Sequence, residues 1–319
     1  MVRYLLRRLP SAVAVLFAAS VLIFAVLRVV PGDPASTLAG PDATPETIAA
    51  IRHDLGLDQP VIAQYLGWLG HVLTNDWGRS YLIGGQIADL VTAGLTNTLV
   101  LTGAALLLAI VGSVVAALLW VGVSSRALDA ALTGFNTVAL ALPTFVTGVI
   151  LVLVFGLLLP ILPTGGVPPN GFLADPDIAV QYLILPAVCL ALPASAGLTR
   201  FLAESLRTEL AAPYVTTARA AGVSPRRLLV AHALPAALPT YLTALGIQAG
   251  SLLGGAVLVE AVFSWPGLGQ LAAQAIDRRD YPVVQILLLL SVGVFVVIQL
   301  STDLVHAYLD PRVRIGGLT

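Results

Sequence analysis

The chain has 319 residues, of which 58% are hydrophobic and 10% charged, with a mean hydropathy of +0.94 and a formal net charge of −1. Soluble domains carry about 25% charged residues, so most of this surface meets lipid, and the balanced charge shows no basic excess that would favour nucleic acid. All 16 basic residues are arginine and no Gly-x-x-x-x-Gly-Lys run occurs, which excludes nucleotide hydrolysis on a phosphate loop of this chain.

Apolar residues gather in six blocks long enough to cross a roughly 30 Å hydrocarbon core as helices. The predicted spans run from Leu9 to Val29, Thr98 to Val121, Leu132 to Leu159, Ile178 to Leu198, Leu238 to Val262 and Val283 to Leu304. The first follows Arg3, Arg7 and Arg8 as a signal peptide would. It continues past the 7 to 15 residues of a signal core before Pro31-Gly32-Asp33-Pro34 stops it, so a retained span is expected. Arginine placement orients the chain. Arg3, Arg7, Arg8, Arg126, Arg200, Arg207, Arg219, Arg226, Arg227, Arg312 and Arg314 fall on one side, expected to be cytoplasmic with both termini.

The first outer loop, 31–97, is too long for a simple connection and carries helix signals of its own. Thr44-Pro45-Glu46 reads as N-cap, N1 proline and first-turn acid, Gly56 as a stop, and Pro60 as the opening of a second helix. On that helix Val61, Ile62, Tyr65, Leu66, Leu69, Val72 and Leu73 form a stripe beside Trp68. The stripe either packs on the outer ends of the spans and the lipid interface or receives an extracellular partner. Further along, Pro143 and Pro193 fall within spans, as kinks or as packing features. The single cysteine, Cys189, lies in an apolar stretch and reads as a small packing residue.

Between spans four and five a polar loop, 200–235, is punctuated like two short helices. Pro213 suits a first helical position, alanines follow, and Gly222 supplies the left-handed C′ conformation; Ser224-Pro225 then repeats the start signal. A helix from Pro213 to Ala221 is only ~13 Å long and marginal by itself in water. Tyr214, Arg219 and a face of alanines suit a knob in a protein groove, while the plain alternative is a loop whose arginines only set topology. At the outer end of span five, Glu260 is either a helix-end carboxylate bonded to the following turn or a gate and rim contact. Pro266-Gly267-x-Gly269 lacks a following lysine and reads as a tight, scoop-like turn rather than a phosphate loop.

Tyr214-Val215, Ala218-Arg219-Ala220, Gly222 and His232-x-Leu234 resemble the coupling loop of ABC importer permeases of the dipeptide/oligopeptide/nickel type. The broader importer signature has Glu-Ala-Ala, then a glycine at fixed spacing, then Leu-Pro. Here Ala218, Gly222 and Leu234-Pro235 match, while Thr216 and Thr217 stand where glutamate and alanine are usual. Ala221 replaces a common lysine, Pro213 a common acidic residue, and Pro235-Ala236 an Arg-Asn pair. The likeness extends along nearly the whole chain. It includes Arg7-Arg8-Leu9, Leu55-Gly56-Leu57-Asp58-Gln59-Pro60 and Asp76-Trp77-Gly78-Arg79-Ser80, where Asn75 replaces a glycine. It resumes at Glu260-x-x-Phe263-Ser264-Trp265-Pro266-Gly267-Leu268-Gly269, Asp280-Tyr281-Pro282-Val283-Val284 and Leu309-Asp310-Pro311-Arg312-Val313-Arg314.

The resemblance implies an all-α integral membrane protein with six transmembrane helices of the type I ABC importer permease fold and a helical extracytoplasmic loop after the first span. It implies a cytoplasmic N-terminus at 1–8, one permease domain at 9–305 and a cytoplasmic tail at 306–319. ATPase coupling then falls to Tyr214, Ala218, Arg219, Ala220, Gly222, His232 and Leu234. An outer gate, scoop or binding-protein contact falls to Glu260, Phe263, Trp265, Pro266, Gly267 and Gly269. The implied partners are a second homologous permease, two cytoplasmic ATPase domains carrying ATP and Mg2+, and an extracytoplasmic binding protein that delivers short peptides. The setting is the bacterial inner membrane, with no cofactor or metal on this chain. Nickel chelates are the alternative cargo within the family. Of the other classes, an intramembrane enzyme lacks a catalytic set, since His53, His71, His232 and His306 lie in loops or at a span end. An ion-coupled secondary transporter would show inverted repeats and buried ionisable residues, and neither is apparent.

Overall fold

The computed structural model describes residues 2–29, 34–39, 43–54, 56–80, 82–168 and 175–309. Among them the regular elements are all helices, with one isolated antiparallel bridge between Arg79 and Gln86. Pro31 to Asp33 and Asp310 to Arg314, both part of the sequence expectations, lie outside the described residues.

In chain order, α1 is Val2–Val29, α2 Pro34–Ala39, α3 Pro45–Asp54 and α4 Val61–Leu73. Next come α5 at Ile87–Gly122, α6 at Arg126–Ala141, and α7 at Thr144–Leu151, which continues as a π-helical stretch over Val152–Leu158. Then α8 is Pro176–Leu210 and α9 Pro213–Ala220; α10, Pro225–Arg227, runs through a second π segment, Leu228–Ala233, into α11 at Leu234–Val262. The last two are α12 at Leu268–Asp277 and α13 at Tyr281–Leu309.

Among the described residues four stretches are long and apolar enough to cross a bilayer: Arg8–Val26 within α1, α5, α8, and the continuous helix Pro225–Val262. The expected third span is not one straight helix. Its two halves, α6 and α7–π, meet at 107°. Pro143 is the cause: it forces Leu142 out of the helical region, to ψ 127°, and caps α7 without an N–H of its own. Pro193, flagged for the same reason, stays inside an unbroken α8. In α13, 29 residues long, the described apolar part is Tyr281–Val297. Helices also outrun the apolar blocks. The expected N-terminal segment 1–8 is largely the first turns of α1, and His306 to Leu309 belong to α13.

The chain forms two compact units, 1–97 with 266–297 and 98–265 with 298–319. In the first, α4 packs on α1 through an aromatic group. Phe24 meets Tyr65 edge-on at 5.3 Å and Trp68 at 5.8 Å, and the Ser20 hydroxyl bonds the Tyr65 hydroxyl at 2.9 Å. The rest of the predicted stripe divides: Val61, Ile62, Leu66 and Leu73 stay exposed. A second cluster in this unit joins Ile87 and Val91 of α5 to Ala275 of α12 and Val283, Val284 and Leu287 of α13.

In the other unit α8 is the central helix, packed on α6, α7 and α11. Its buried side is rich in alanine, including Ala187, Ala191, Ala194 and Ala203, which lets neighbouring backbones approach where lipid provides no hydrophobic drive. Cys189 is buried here and its thiol donates to the Thr144 carbonyl oxygen at 3.3 Å. Gly165 sits tight against backbone: a Cβ there would lie 2.4 Å from the Phe263 carbonyl oxygen, which the Gly166 N–H already meets at 2.9 Å.

Candidate functional site

The segment between α8 and α11 differs from the expected pair of short helices in an otherwise open loop. Arg200 to Leu210 is the last third of α8, and Pro225 begins a helix that runs on to Val262. Only α9 stands alone. Its start is as expected, with Pro213 at N1 after Ala212 in extended conformation. At its end Gly222 takes φ +84°; its N–H bonds the Arg219 carbonyl at 3.0 Å and the Val223 N–H the Ala218 carbonyl at 3.1 Å, a complete Schellman motif. Ala221 is the C-cap, so α9 is eight residues long.

What holds so short a helix is Val215, 1% exposed, against the π segment, where Leu228 and Leu229 are buried. The other side is open. Tyr214, Thr216, Thr217, Arg219, Ala220 and Gly222 are exposed, and Ala218 is half-buried. The Tyr214 hydroxyl donates to Glu209 Oε2 at 2.9 Å, which ties α9 to the end of α8 while leaving the ring 43% exposed. Desolvation, then the Glu209 carboxylate, holds this phenol above its ordinary pKa. His232 and Leu234 are half-buried, with His232 Nδ1 3.3 Å from the Arg227 carbonyl oxygen. The expected coupling residues therefore split into an exposed group on α9 and an inner pair at the base of α11.

At the opposite end of α11 the expected gate residues are mostly interior. Glu260, Phe263 and Trp265 have 0%, 1% and 0% exposure, and Gly267 and Gly269 are buried, whereas Ser264 and Pro266 are exposed. The Thr98 hydroxyl donates to Glu260 Oε1 at 2.6 Å, so the carboxylate is held within α5 and α11. Ser264 occupies the C′ position of α11 at φ +48°, with the Trp265 N–H bonding the Glu260 carbonyl at 2.9 Å.

Two sequence motifs 200 positions apart meet in the first unit. The Ser80 hydroxyl donates to Asp280 Oδ2 at 2.5 Å and the Leu82 N–H to the same oxygen at 3.3 Å, while Arg278 donates to the Leu82 carbonyl at 2.8 Å. The turn is completed by Ile83 and Gly84 N–H groups on Ser80 Oγ, at 3.0 and 3.2 Å. Asn75, found where a glycine is usual, sits at φ +60° as the C′ residue of α4; asparagine is the side chain that best tolerates that conformation after glycine. Sequence reasoning found both motifs but not their contact. It also passed over Asn136, a buried polar residue of α6, whose signal was its place one helical turn from Thr133.

Residues 109–315 match the family described as binding-protein-dependent transport system inner membrane component, and residues 1–88 match its N-terminal companion. A probable peptide ABC transporter permease protein of Sinorhizobium fredii is 37% identical over 314 residues, 98% of this chain and 99% of that one. The glutathione transport system permease protein of Escherichia coli K12 is 34% identical over the same shares. Among solved structures, an amino acid ABC transporter crystallised with histidines superposes with a TM-score of 0.54 at 18% identity, over 69% of this chain and 94% of that chain. The MetNI methionine ABC transporter, in an inward-facing form, gives 0.51 at 20% identity over 69% and 96%. The chain, a multi-pass all-α membrane protein, thus belongs to the binding-protein-dependent transport system inner membrane components, the permease family of ABC importers.

Proposed function

We propose that this chain is one of two permease subunits of an ATP-driven importer that carries short peptides into the cytoplasm by alternating access. The observation that carries it is similarity from end to end, 37% and 34% identity over 98% of the chain, to permeases named for peptide and for glutathione, itself a short peptide. Nickel chelates and ion-coupled transport have no comparable support.

In this proposal 9–305 acts as one permease domain, 31–97 faces the extracytoplasmic binding protein, and 200–235 with both termini faces the cytoplasm. ATP and Mg2+ bind two partner ATPase domains, and the arginine bias favours placing α9 on their side. The exposed face of Tyr214, Arg219 and Ala220 enters an ATPase groove, and the continuous helix from Pro225 to Val262 carries the displacement into the membrane. Glu260, Phe263 and Trp265, buried in this conformation, act as an inner support for the exposed Ser264 turn rather than as direct contacts.

The test is uptake by the complete complex in proteoliposomes. Labelled dipeptide should enter in proportion to ATP hydrolysis and continue when ion gradients are collapsed. Uptake that ignores ATP and stops with the gradient would sink the proposal. Mass spectrometry of the ligand carried by the binding protein that stimulates this complex decides between peptide and nickel chelate.

A further inference from the structure

Helix α4 carries two apolar stripes, each at i, i+4, i+7 and i+11 spacing. Val61, Tyr65, Trp68 and Val72 form the first. Tyr65 and Trp68 close over Phe24 of α1, and Val72 packs against the cluster around Ile87, Ala275 and Val283. Ile62, Leu66, Leu69 and Leu73 form the second. It stays open among the described residues, with Ile62, Leu66 and Leu73 exposed by 74%, 60% and 78%.

What meets the second stripe follows from where α4 sits along α1. The apolar span of α1 ends at Val26, and the contacts with α4 straddle that end. Just beyond it, the Arg28 guanidinium donates to Gln64 and lies 4.6 Å over the Phe24 ring. Inside it, the Tyr65 hydroxyl bonds the Ser20 hydroxyl at 2.9 Å, and Ser20 is about 9 Å short of Val26 by the 1.5 Å rise per residue. Helix α4 therefore lies where hydrocarbon gives way to headgroups. Tyr65 and Trp68 are placed there as interfacial aromatics are, and Arg28 reaches outward as a snorkelling arginine does.

The roll of the helix is fixed as well. Gln64 points to the Arg28 end of α1, and the second stripe lies on the side of α4 opposite Gln64 and His71, so it points toward the middle of the span. The face of α1 that holds α4 continues inward as Val13 and Phe17, both exposed. Stripe and face form one apolar surface at a depth that a water-soluble partner does not reach.

We infer that α4 is an interfacial helix whose Ile62, Leu66, Leu69 and Leu73 bed in phospholipid acyl chains of the outer leaflet. Calling that leaflet the outer one rests on the importer topology proposed above. The lipid gives a 13-residue helix, marginal by itself in water, a second anchor beside α1. The Gln64 and His71 side is left to water and to the binding protein.

The experiment uses the complete complex in phosphatidylcholine vesicles. Bimane is attached at Leu66→Cys or Leu73→Cys on the stripe, or at His71→Cys on the far side, the native Cys189 being buried. Phosphatidylcholine brominated on its acyl chains should quench the stripe probes severalfold more than the probe at position 71, and aqueous iodide should show the reverse order. Iodide quenching at 66 and 73 equal to that at 71 puts the stripe in water and overturns the proposal. So does a stripe shielded from both quenchers, with photo-crosslinks from position 66 to the second permease or to the binding protein. An impermeant maleimide should reach position 71 from outside the cell. Access from the cytoplasm alone, with acyl-chain quenching intact, refutes the topology and the leaflet assigned, whereas stripe probes in water with outside access at 71 refute the lipid bed alone.

Discussion

The α9 segment and the Ser80–Asp280 contact use polar residues in opposite ways. At Asp280, 2% exposed, carboxylate Oδ2 collects a hydroxyl and a backbone N–H from a turn 200 residues away. At α9 a single buried valine holds an eight-residue helix whose remaining polar side chains face outward. Buried and satisfied groups fix a fold, because breaking them strands their partners. A helix below self-sustaining length, held by one buried side chain and one tyrosine hydrogen bond and exposed over most of its surface, has surface to give to another protein.

That contrast fails first at Asp280. Asp280→Ala leaves the Ser80 hydroxyl and the Leu82 N–H without an acceptor, and should cost about 3–6 kcal/mol, since hydrogen bonds to charged groups are worth roughly 1.5–3 each. Thermal unfolding of the purified complex measures it, and Asp280→Asn, which keeps an acceptor, should lose less. Next comes Gly165→Ala: a Cβ 2.4 Å from a backbone oxygen requires backbone movement, at a cost of roughly 1–3 kcal/mol by the same assay.

At α9 the effect should move from stability to coupling. Gly222→Val puts a branched side chain at φ +84°, a local cost of about 1–2 kcal/mol. Nothing lies within 4 Å of its Cβ, so the complex should assemble while transport-coupled ATP hydrolysis falls, and more so with Arg219→Glu. Ser264→Gly works in the other direction. It relieves a left-handed serine at the end of α11 and should raise stability by up to about 1 kcal/mol, visible as a small rise in melting temperature.

The smallest effect is at the exposed His53–Asp58 pair, 2.7 Å apart. The His53 hydrogen bond holds the Asp58 carboxyl below its ordinary pKa, so its contribution is present above the unfolded value and is lost as pH falls through the folded one. His53→Ala should shift the Asp58 titration upward by NMR, and the small loss of stability it brings should be present at neutral pH and vanish in acid.

Local chemistry was the legible part of the sequence. Pro213 at N1, Gly222 at C′, the Thr44 cap and Gly56 all fall where residue type alone puts them, because a proline ring and a missing Cβ act over one or two residues. The end of α8 was not legible. A polar stretch after an apolar block looks like a loop, yet Arg200 to Leu210 continues as helix because its buried side, Leu202, Ala203 and Leu206, still packs inside the unit. Pro143 and Pro193 show the same dependence on context: one breaks its helix by 107° and the other does not, although both were flagged on the same grounds. The partners of Asp280 and Glu260, far away in sequence, had no local signature at all. Asn136 had one, a polar residue one helical turn from Thr133, and it went unused because nothing nearby said the face was enclosed.

The most direct measurement places a photo-crosslinking residue at Ala220, on the exposed side of α9, in the assembled transporter. Docking predicts an adduct with an ATPase subunit whose yield changes between nucleotide-free and ATP-bound complex. An adduct with lipid or with the second permease, in a complex that still couples ATP hydrolysis to uptake, would contradict it.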